Sequence, residues 1–129
     1  MLKQLSIYAE NKKGALQAMT NALYEAGINI WGSVTNDGAE YGINRMVVSD
    51  PDKAKEVLTE KGYLCRFVDV LAVEIEDKPG ALNTLLTALL DSNVNVDYTY
   101  LSFNRDSSTP VMILHTADPE EVEICLKAK

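Results

Sequence analysis

Asn11-Lys12-Lys13-Gly14-Ala15-Leu16 and Asp77-Lys78-Pro79-Gly80-Ala81-Leu82 stand 66 residues apart in a chain of 129 residues. Two further matches keep that offset. Ala22-Leu23 returns as Ala88-Leu89, and Gly27-Ile28-Asn29-Ile30 returns as Asn93-Val94-Asn95-Val96. Ser49-Asp50-Pro51-Asp52 reappears as Ala117-Asp118-Pro119-Glu120 at an offset of 68, so the second copy carries two extra residues. Self-similarity at a nearly fixed period marks a duplicated supersecondary unit. The insertion is expected in the polar run Asn104-Arg105-Asp106-Ser107-Ser108, which replaces Asn36-Asp37-Gly38 at a hairpin turn, where extra length is tolerated.

Working outward from the quoted segments, each unit reads the same way. Leu5, Ile7 and Ala9 alternate with Gln4, Ser6 and Tyr8, the pattern of a half-buried strand. Leu16, Met19, Leu23 and Ala26 then share one face of a helix that Gly27 closes. Strands over 28–35 and 41–48 flank the Asn36-Asp37-Gly38 turn, and Asp50-Pro51 opens a second helix carrying Ala54, Val57 and Leu58. Gly62 ends that helix before a fourth strand over 63–68. The order βαββαβ predicts an α+β, ferredoxin-like unit: an antiparallel sheet with both helices on one face. The chain thus divides into repeats at 1–68 and 69–129, with no Gly/Ser linker and with the second repeat's fourth strand either missing, as in a three-stranded variant, or truncated.

Composition excludes several classes. With 12 Lys and Arg against 19 Asp and Glu, the net charge is −7, and the basic residues are scattered, so neither a nucleic acid nor an anionic membrane is an expected partner. No apolar run has the length of a spanning helix, and no leader pattern opens the chain, which predicts a cytoplasmic protein. Cys65 and Cys125 lie far apart without a metal-ligand spacing and are read as free thiols. The single histidine, His115, has no acidic or cysteine companion nearby in the sequence and is read as structural. No nucleophile, phosphate-loop or dinucleotide motif occurs, so no catalytic residue, metal or cofactor is assigned and the chain is not read as an enzyme.

What remains is binding. Gly14 and Gly80 each open a helix whose first N–H groups lack partners, and the positive end of the helix dipole there suits a carboxylate. Asn11 and Asp77 serve equally well as simple helix caps. A second polar pair, Asn29 and Asn95, opens the strand after each helix, followed by Ile30 and Val96. If that strand begins where the first one stops, Asn11 with Asn29, and Asp77 with Asn95, form a pocket accepting from an ammonium beside the carboxylate seat. Such a pair of seats is a receptor for an α-amino acid. Lys12 and Lys13 favour the carboxylate in the first repeat, whereas Glu76 and Asp77 oppose it in the second.

The pattern [Asn/Asp]-x-x-Gly-x-Leu, an amphipathic helix, Gly-Ile-Asn-Ile, a hairpin and a second helix resembles the ACT domain, an amino-acid-sensing regulatory module, and the resemblance spans nearly the whole chain as two tandem units. It implies that Asn11 and Asn29 hold the ligand, as the loop and strand asparagines do in the serine-sensing ACT domain of phosphoglycerate dehydrogenase. The candidate ligand residues are therefore Asn11, Lys12, Lys13, Gly14, Ala15, Leu16, Asn29 and Ile30, with Asp77, Pro79, Gly80, Ala81, Leu82, Asn95 and Val96 in the second repeat. Ala9 stands where that relative has a histidine, so serine specificity is not carried over, and a small apolar or aromatic amino acid fits the lack of a side-chain charge partner.

Alternation sends Tyr8, Trp31, Arg45 and Val47, and Ala72, Val111 and Ile113 in the second repeat, to the face away from the helices. An apolar face of this kind predicts association, most simply a homodimer, and the resemblance to the ACT domain implies that it controls an enzyme of amino-acid metabolism. Two other readings share the fold. One is a ligand-free interaction module. The other is an RNA-recognition domain, which the charge and the absence of the basic-Gly-aromatic signature oppose. An acylphosphatase-like enzyme would need an arginine in a loop that holds lysines only.

Overall fold

The computed structural model describes residues 1–10, 12–36, 41–103 and 109–127, with the backbone alone at positions 41 and 127. Asn11, the turn residues Asp37 and Gly38, and the proposed insertion at 104–108 lie outside the described residues. The element order is β1(Leu2–Glu10), α1(Ala15–Glu25), β2(Ile30–Asn36), β3(Tyr41–Val48), α2(Pro51–Glu60), β4(Leu64–Glu74), α3(Ala81–Asp91), β5(Val96–Ser102), β6(Val111–Thr116) and α4(Pro119–Lys127). This is the tandem α+β, ferredoxin-like arrangement with antiparallel strands. Contacts divide the chain into one unit over Lys3–Val68 and another comprising Met1–Leu2 and Asp69–Lys129.

In the first unit the strands lie in the order β2-β3-β1-β4. Leu5 pairs with Met46 and Glu10 with Tyr41, while Ile30 pairs with Val48 and Asn36 with Ile43. Period-two alternation puts Leu5, Ile7, Met46 and Val48 against Met19, Ala22 and Leu23 of α1 and Ala54 and Leu58 of α2, and all of these are buried. Burying a Leu or Met stabilises by roughly 1.5–3 kcal/mol, which is why the helix-facing stripe holds the unit together. At the start of α2, Asp50 accepts from the Lys53 backbone N–H at 3.2 Å and Pro51 occupies the first turn, where its missing N–H costs nothing.

The second unit has the order β4-β6-β5, with Leu71 paired to Leu114 and Tyr100 to Ile113. Its core is Leu71, Leu89, Leu114 and Val122, flanked by Val73, Leu85, Leu86, Val94, Val96 and Leu126. Both hairpins carry a register shift at the matching place, between Ile30 and Gly32 and between Val96 and Tyr98. A bulge there swings the rest of the strand, so Ser33 and Thr35, like Thr99 and Leu101, face the helix side.

The other sheet face differs from expectation. Val47, Val111 and Ile113 are buried, as are Gln4 and Ser6, and Tyr8 and Trp31 are half-buried. That face is therefore not the exposed apolar surface the alternation suggested. Large apolar side chains are exposed elsewhere, among them Leu101, Phe103, Leu90 and Ile124 in the second unit.

Candidate functional site

Each repeat carries a pocket where the strand-to-helix loop meets the second hairpin strand. In the first it is lined by Ala9, Glu10, Lys12, Ala15, Leu16 and Met19, closed by Thr35, Gly42 and Asn44, and holds about 140 Å³. In the second the wall comprises Ile75, Glu76, Asp77, Lys78, Gly80, Ala81, Leu82 and Asn83, with Thr99, Tyr100, Leu101, Pro110 and Met112 opposite, and the volume is about 530 Å³. The walls correspond position by position: Ala9 with Ile75, Lys12 with Lys78, Leu16 with Leu82, Thr35 with Leu101, Gly42 with Pro110 and Asn44 with Met112.

The helix starts are built alike. Gly14 and Gly80 are the N-cap residues, in the left-handed region at φ 84° and 87°, and neither helix takes a side-chain cap. Asp77 therefore does not cap α3; it lines the pocket. The first intrahelical bonds run from Ala18 N–H to the Gly14 carbonyl at 3.0 Å and from Thr84 N–H to the Gly80 carbonyl at 2.8 Å. The Ala15 and Ala81 N–H groups donate to the Lys12 and Lys78 carbonyls at 3.1 and 3.3 Å, and the next two, those of Leu16 and Gln17 and of Leu82 and Asn83, have no carbonyl inside the helix and remain available to an acceptor. Lys12 pairs with Glu10 at 3.0 Å and Lys78 with Glu76 at 2.8 Å, both exposed, so in each repeat one loop cation is already matched. Leu16 and Leu82, both candidate ligand residues, are exposed and line the pockets.

The strand asparagines do not join the loops of their own repeats. Along β3, the end of β1 is marked by Tyr41 and the start of β2 by Val48, about 23 Å apart at roughly 3.3 Å per residue. A strand that returns through a helix runs parallel to the first and starts at the opposite end from where the first stops. Asn29 instead lines a pocket with Tyr24 and Ile28, its backbone exchanging bonds with Ser49. Asn95 lines another with Asp97 and Thr116 and donates to Asp97 Oδ1 at 3.2 Å. Ile30 and Val96 pack on the two cores. Lys13 and Pro79 are exposed loop residues outside the walls named above, and Asn11 is among the residues not described.

Sequence reading missed the hairpin wall. Asn44, 2% exposed, donates to Ser33 Oγ at 3.1 Å and to Thr35 Oγ1 at 2.7 Å, forming a polar floor in the small pocket. In the second repeat Met112 takes the place of Asn44, and the Thr99 hydroxyl, equivalent to that of Ser33, is buried with no hydrogen-bond partner among the described residues. The available signal was Asn44 itself, a polar residue on the stripe shared by Met46 and Val48. His115 also needs correction: its Nδ1 lies 2.9 Å from Asp97 Oδ2, and its ring stacks on Tyr98 at 4.8 Å. These partners are cross-strand neighbours, close in space and remote in sequence.

The family model of the ACT domain pair matches residues 1–129. The chain belongs to this family. Protein BT0572 from Bacteroides thetaiotaomicron is 31% identical and superposes at a TM-score of 0.89, the match covering 98% of this chain and 87% of that one. The ligand-free regulatory subunit of aspartate kinase from Thermus thermophilus shares the fold at a TM-score of 0.67 and 14% identity, over 98% of this chain and 91% of that one. The corresponding subunit from Thermus flavus superposes at 0.61 with 18% identity, over 99% and 91% of the two chains. No curated protein matches. Among the described residues no helix of this ACT domain pair is long and apolar enough to cross a membrane, and no group of three or more His, Cys, Asp or Glu is placed to hold a metal.

Proposed function

We propose that this ACT domain pair is a regulatory protein that binds an apolar α-amino acid in the loop pocket of its second repeat and controls a partner enzyme of amino-acid metabolism. The observation that carries the reading is the pairing of an uncapped helix start with a roomy, mostly apolar pocket. Small-molecule sites typically enclose about 300–1,000 Å³. The second-repeat pocket, at about 530 Å³, lies within that range, and the first, at about 140 Å³, lies below it. Helix-start charge alone favoured the first repeat; volume favours the second.

The roles follow from the chemistry of the wall. The Leu82 and Asn83 N–H groups in the first turn of α3 receive the ligand carboxylate, the Asp77 carboxylate receives the ammonium, and Ile75, Leu101 and Met112 surround an apolar side chain. The unpartnered Thr99 hydroxyl supplies one further hydrogen bond. β5 is the edge strand of its unit. Antiparallel pairing of two β5 strands in a homodimer would bring Asn95 of one copy beside the Asp77–Leu82 loop of the other, the juxtaposition that a single repeat does not provide. Exposed Leu101 and Phe103 beside this edge favour such association.

The test is a calorimetric titration of ligand-stripped protein with the twenty amino acids, repeated on Thr99→Val and Asp77→Asn. Saturable binding of an apolar amino acid, weakened about tenfold by Asp77→Asn, supports the site, a factor of ten being one charged hydrogen bond. Absence of binding across the panel favours the ligand-free interaction module.

A further inference from the structure

We propose that the second repeat also carries a binding site for an aliphatic diamine, separate from the loop pocket and built where α3 ends and α4 begins. The space there is about 440 Å³ and its wall includes Asp97, Asp118 and Glu121. Acidic residues opening α4 complement that helix's positive end, and this alone explains Asp118 and Glu121 as surface charges. Thr116 points further. It is 2% exposed, lines the same pocket, and its hydroxyl is buried with no hydrogen-bond partner among the described residues. A buried hydroxyl left unpaired is costly, and a ligand N–H directed at its lone pairs removes the cost.

Comparison with the first repeat indicates what the ligand carries. At the position of Glu121 the first repeat has Lys53, whose ammonium donates to the Ala26 carbonyl at the end of α1 at 2.9 Å. The first repeat thus supplies its own cation to the negative end of its first helix. The second repeat reverses the charge at that place, and two further substitutions in the wall run the same way: Asp97 replaces Trp31, and Thr116 replaces Val48. These three changes each remove a cation or an apolar group and add an oxygen acceptor, against one loss, Ala117 for Ser49.

The charge balance selects a dication. Asp97 is engaged by His115 and Asn95, whereas Asp118 and Glu121 form no ion pair among the described residues. Two unmatched carboxylates suit two ammonium groups. A zwitterionic amino acid would bring a carboxylate against this wall, and the acids are not clustered as metal ligands among the described residues. Val94, Val122 and Cys125 give an alkyl chain between the two ammonium groups an apolar floor.

The experiment is calorimetric titration of the intact chain with 1,4-diaminobutane at low salt, where ion pairs are least screened. 1-Aminobutane and the amino acid norleucine are the controls. The expected result is one saturable site per chain, about tenfold weaker for 1-aminobutane and lost for norleucine at this pocket. Glu121→Lys, which restores the first repeat's own cation, should abolish diamine binding. Glu121→Gln and Asp118→Asn, milder exposed changes, should each weaken it about tenfold while leaving the melting temperature near that of the parent. Thr116→Val should weaken it as well. No saturable binding by about 10 mM, or an affinity unchanged from the parent's in both Glu121→Gln and Asp118→Asn, overturns the proposal. Amino-acid binding at the Asp77–Leu82 loop should be unaffected by Glu121→Lys, so failure of one site is distinguishable from failure of the other.

Discussion

Gly80→Ala isolates the backbone cost of the helix start proposed to seat the ligand. A Cβ built at Gly80 meets nothing within 4 Å, and the residue sits at φ +87°, so the substitution brings torsional strain without collision. Left-handed backbone costs an L-residue roughly 1–2 kcal/mol. Alanine offsets part of this, by about 0.4–1 kcal/mol, because it restricts the unfolded chain more than glycine does. The net loss is then about 1 kcal/mol. At a urea slope of about 2 kcal/mol/M, the unfolding midpoint should fall by roughly 0.5 M with the slope unchanged. Gly80→Asn should lose less, because asparagine tolerates this region. Gly42 is the control with the opposite mechanism: its Cβ would stand 2.9 Å from the Asn36 carbonyl oxygen, a steric conflict with backbone that asparagine worsens. Asparagine should therefore be milder than alanine at Gly80 and harsher at Gly42. Equal midpoints for Gly80→Ala and the parent, or the same residue order at both glycines, would refute the torsional argument.

Further predictions follow from the same geometry. Asn44→Ala removes two buried hydrogen bonds and should destabilise by about 1–3 kcal/mol in urea unfolding, with no change in amino-acid binding if the second pocket is the site. An apolar amino acid at a hundredfold over its dissociation constant should add about 2.7 kcal/mol to unfolding, read as a melting shift that Leu101→Asp abolishes. Cys65 is buried and Cys125 half-buried, so a thiol reagent should modify Cys125 first in the native protein. Burial pushes the Cys65 thiol above its ordinary value near 9, with Lys55 partly opposing. The folded state thus favours the protonated thiol, and the stability this contributes is complete below the unfolded value and is lost as pH rises through the folded one. Cys65→Ser should flatten the fall in melting temperature above about pH 9.

The repeat and the family were legible because they reside in local signals: helix-start glycines, period-two strands, and Asp-Pro before the second helix. The candidate site was legible only in part. Loop residues contiguous with those signals, such as Asp77 and Leu82, do line a pocket. Asn29 and Asn95 were misplaced because their position depends on strand direction, which a helix crossover fixes and composition does not display. Asn44, Met112 and the Asp97–His115 pair escaped notice because hairpin registers bring them to their neighbours. The face opposite the helices read as an open apolar surface because alternation reports which side a residue takes, not whether that side is covered.

The unequal pockets have a local cause that leaves the scaffold intact. Core positions keep their character between repeats, Leu5 matching Leu71, Leu23 matching Leu89 and Met46 matching Leu114. The change lies at the hairpin's entrance. β3 runs from Tyr41 for 8 residues, with Gly42 paired to Ala9, whereas β6 starts at Val111 and runs for 6. Pro110 occupies the position of Gly42, and a proline has no N–H to give the ladder; only its carbonyl takes part, accepting from Ile75 at 3.1 Å. The ladder is therefore shorter on the pocket side in the second repeat, and Met112 replaces the amide that ties the first repeat's floor together. Losing those ties widens the space beside the helix start while the buried layer between sheet and helices stays the same. A duplicated fold can in this way hold one repeat closed and leave the other open to a ligand, through residues that contribute little to the core.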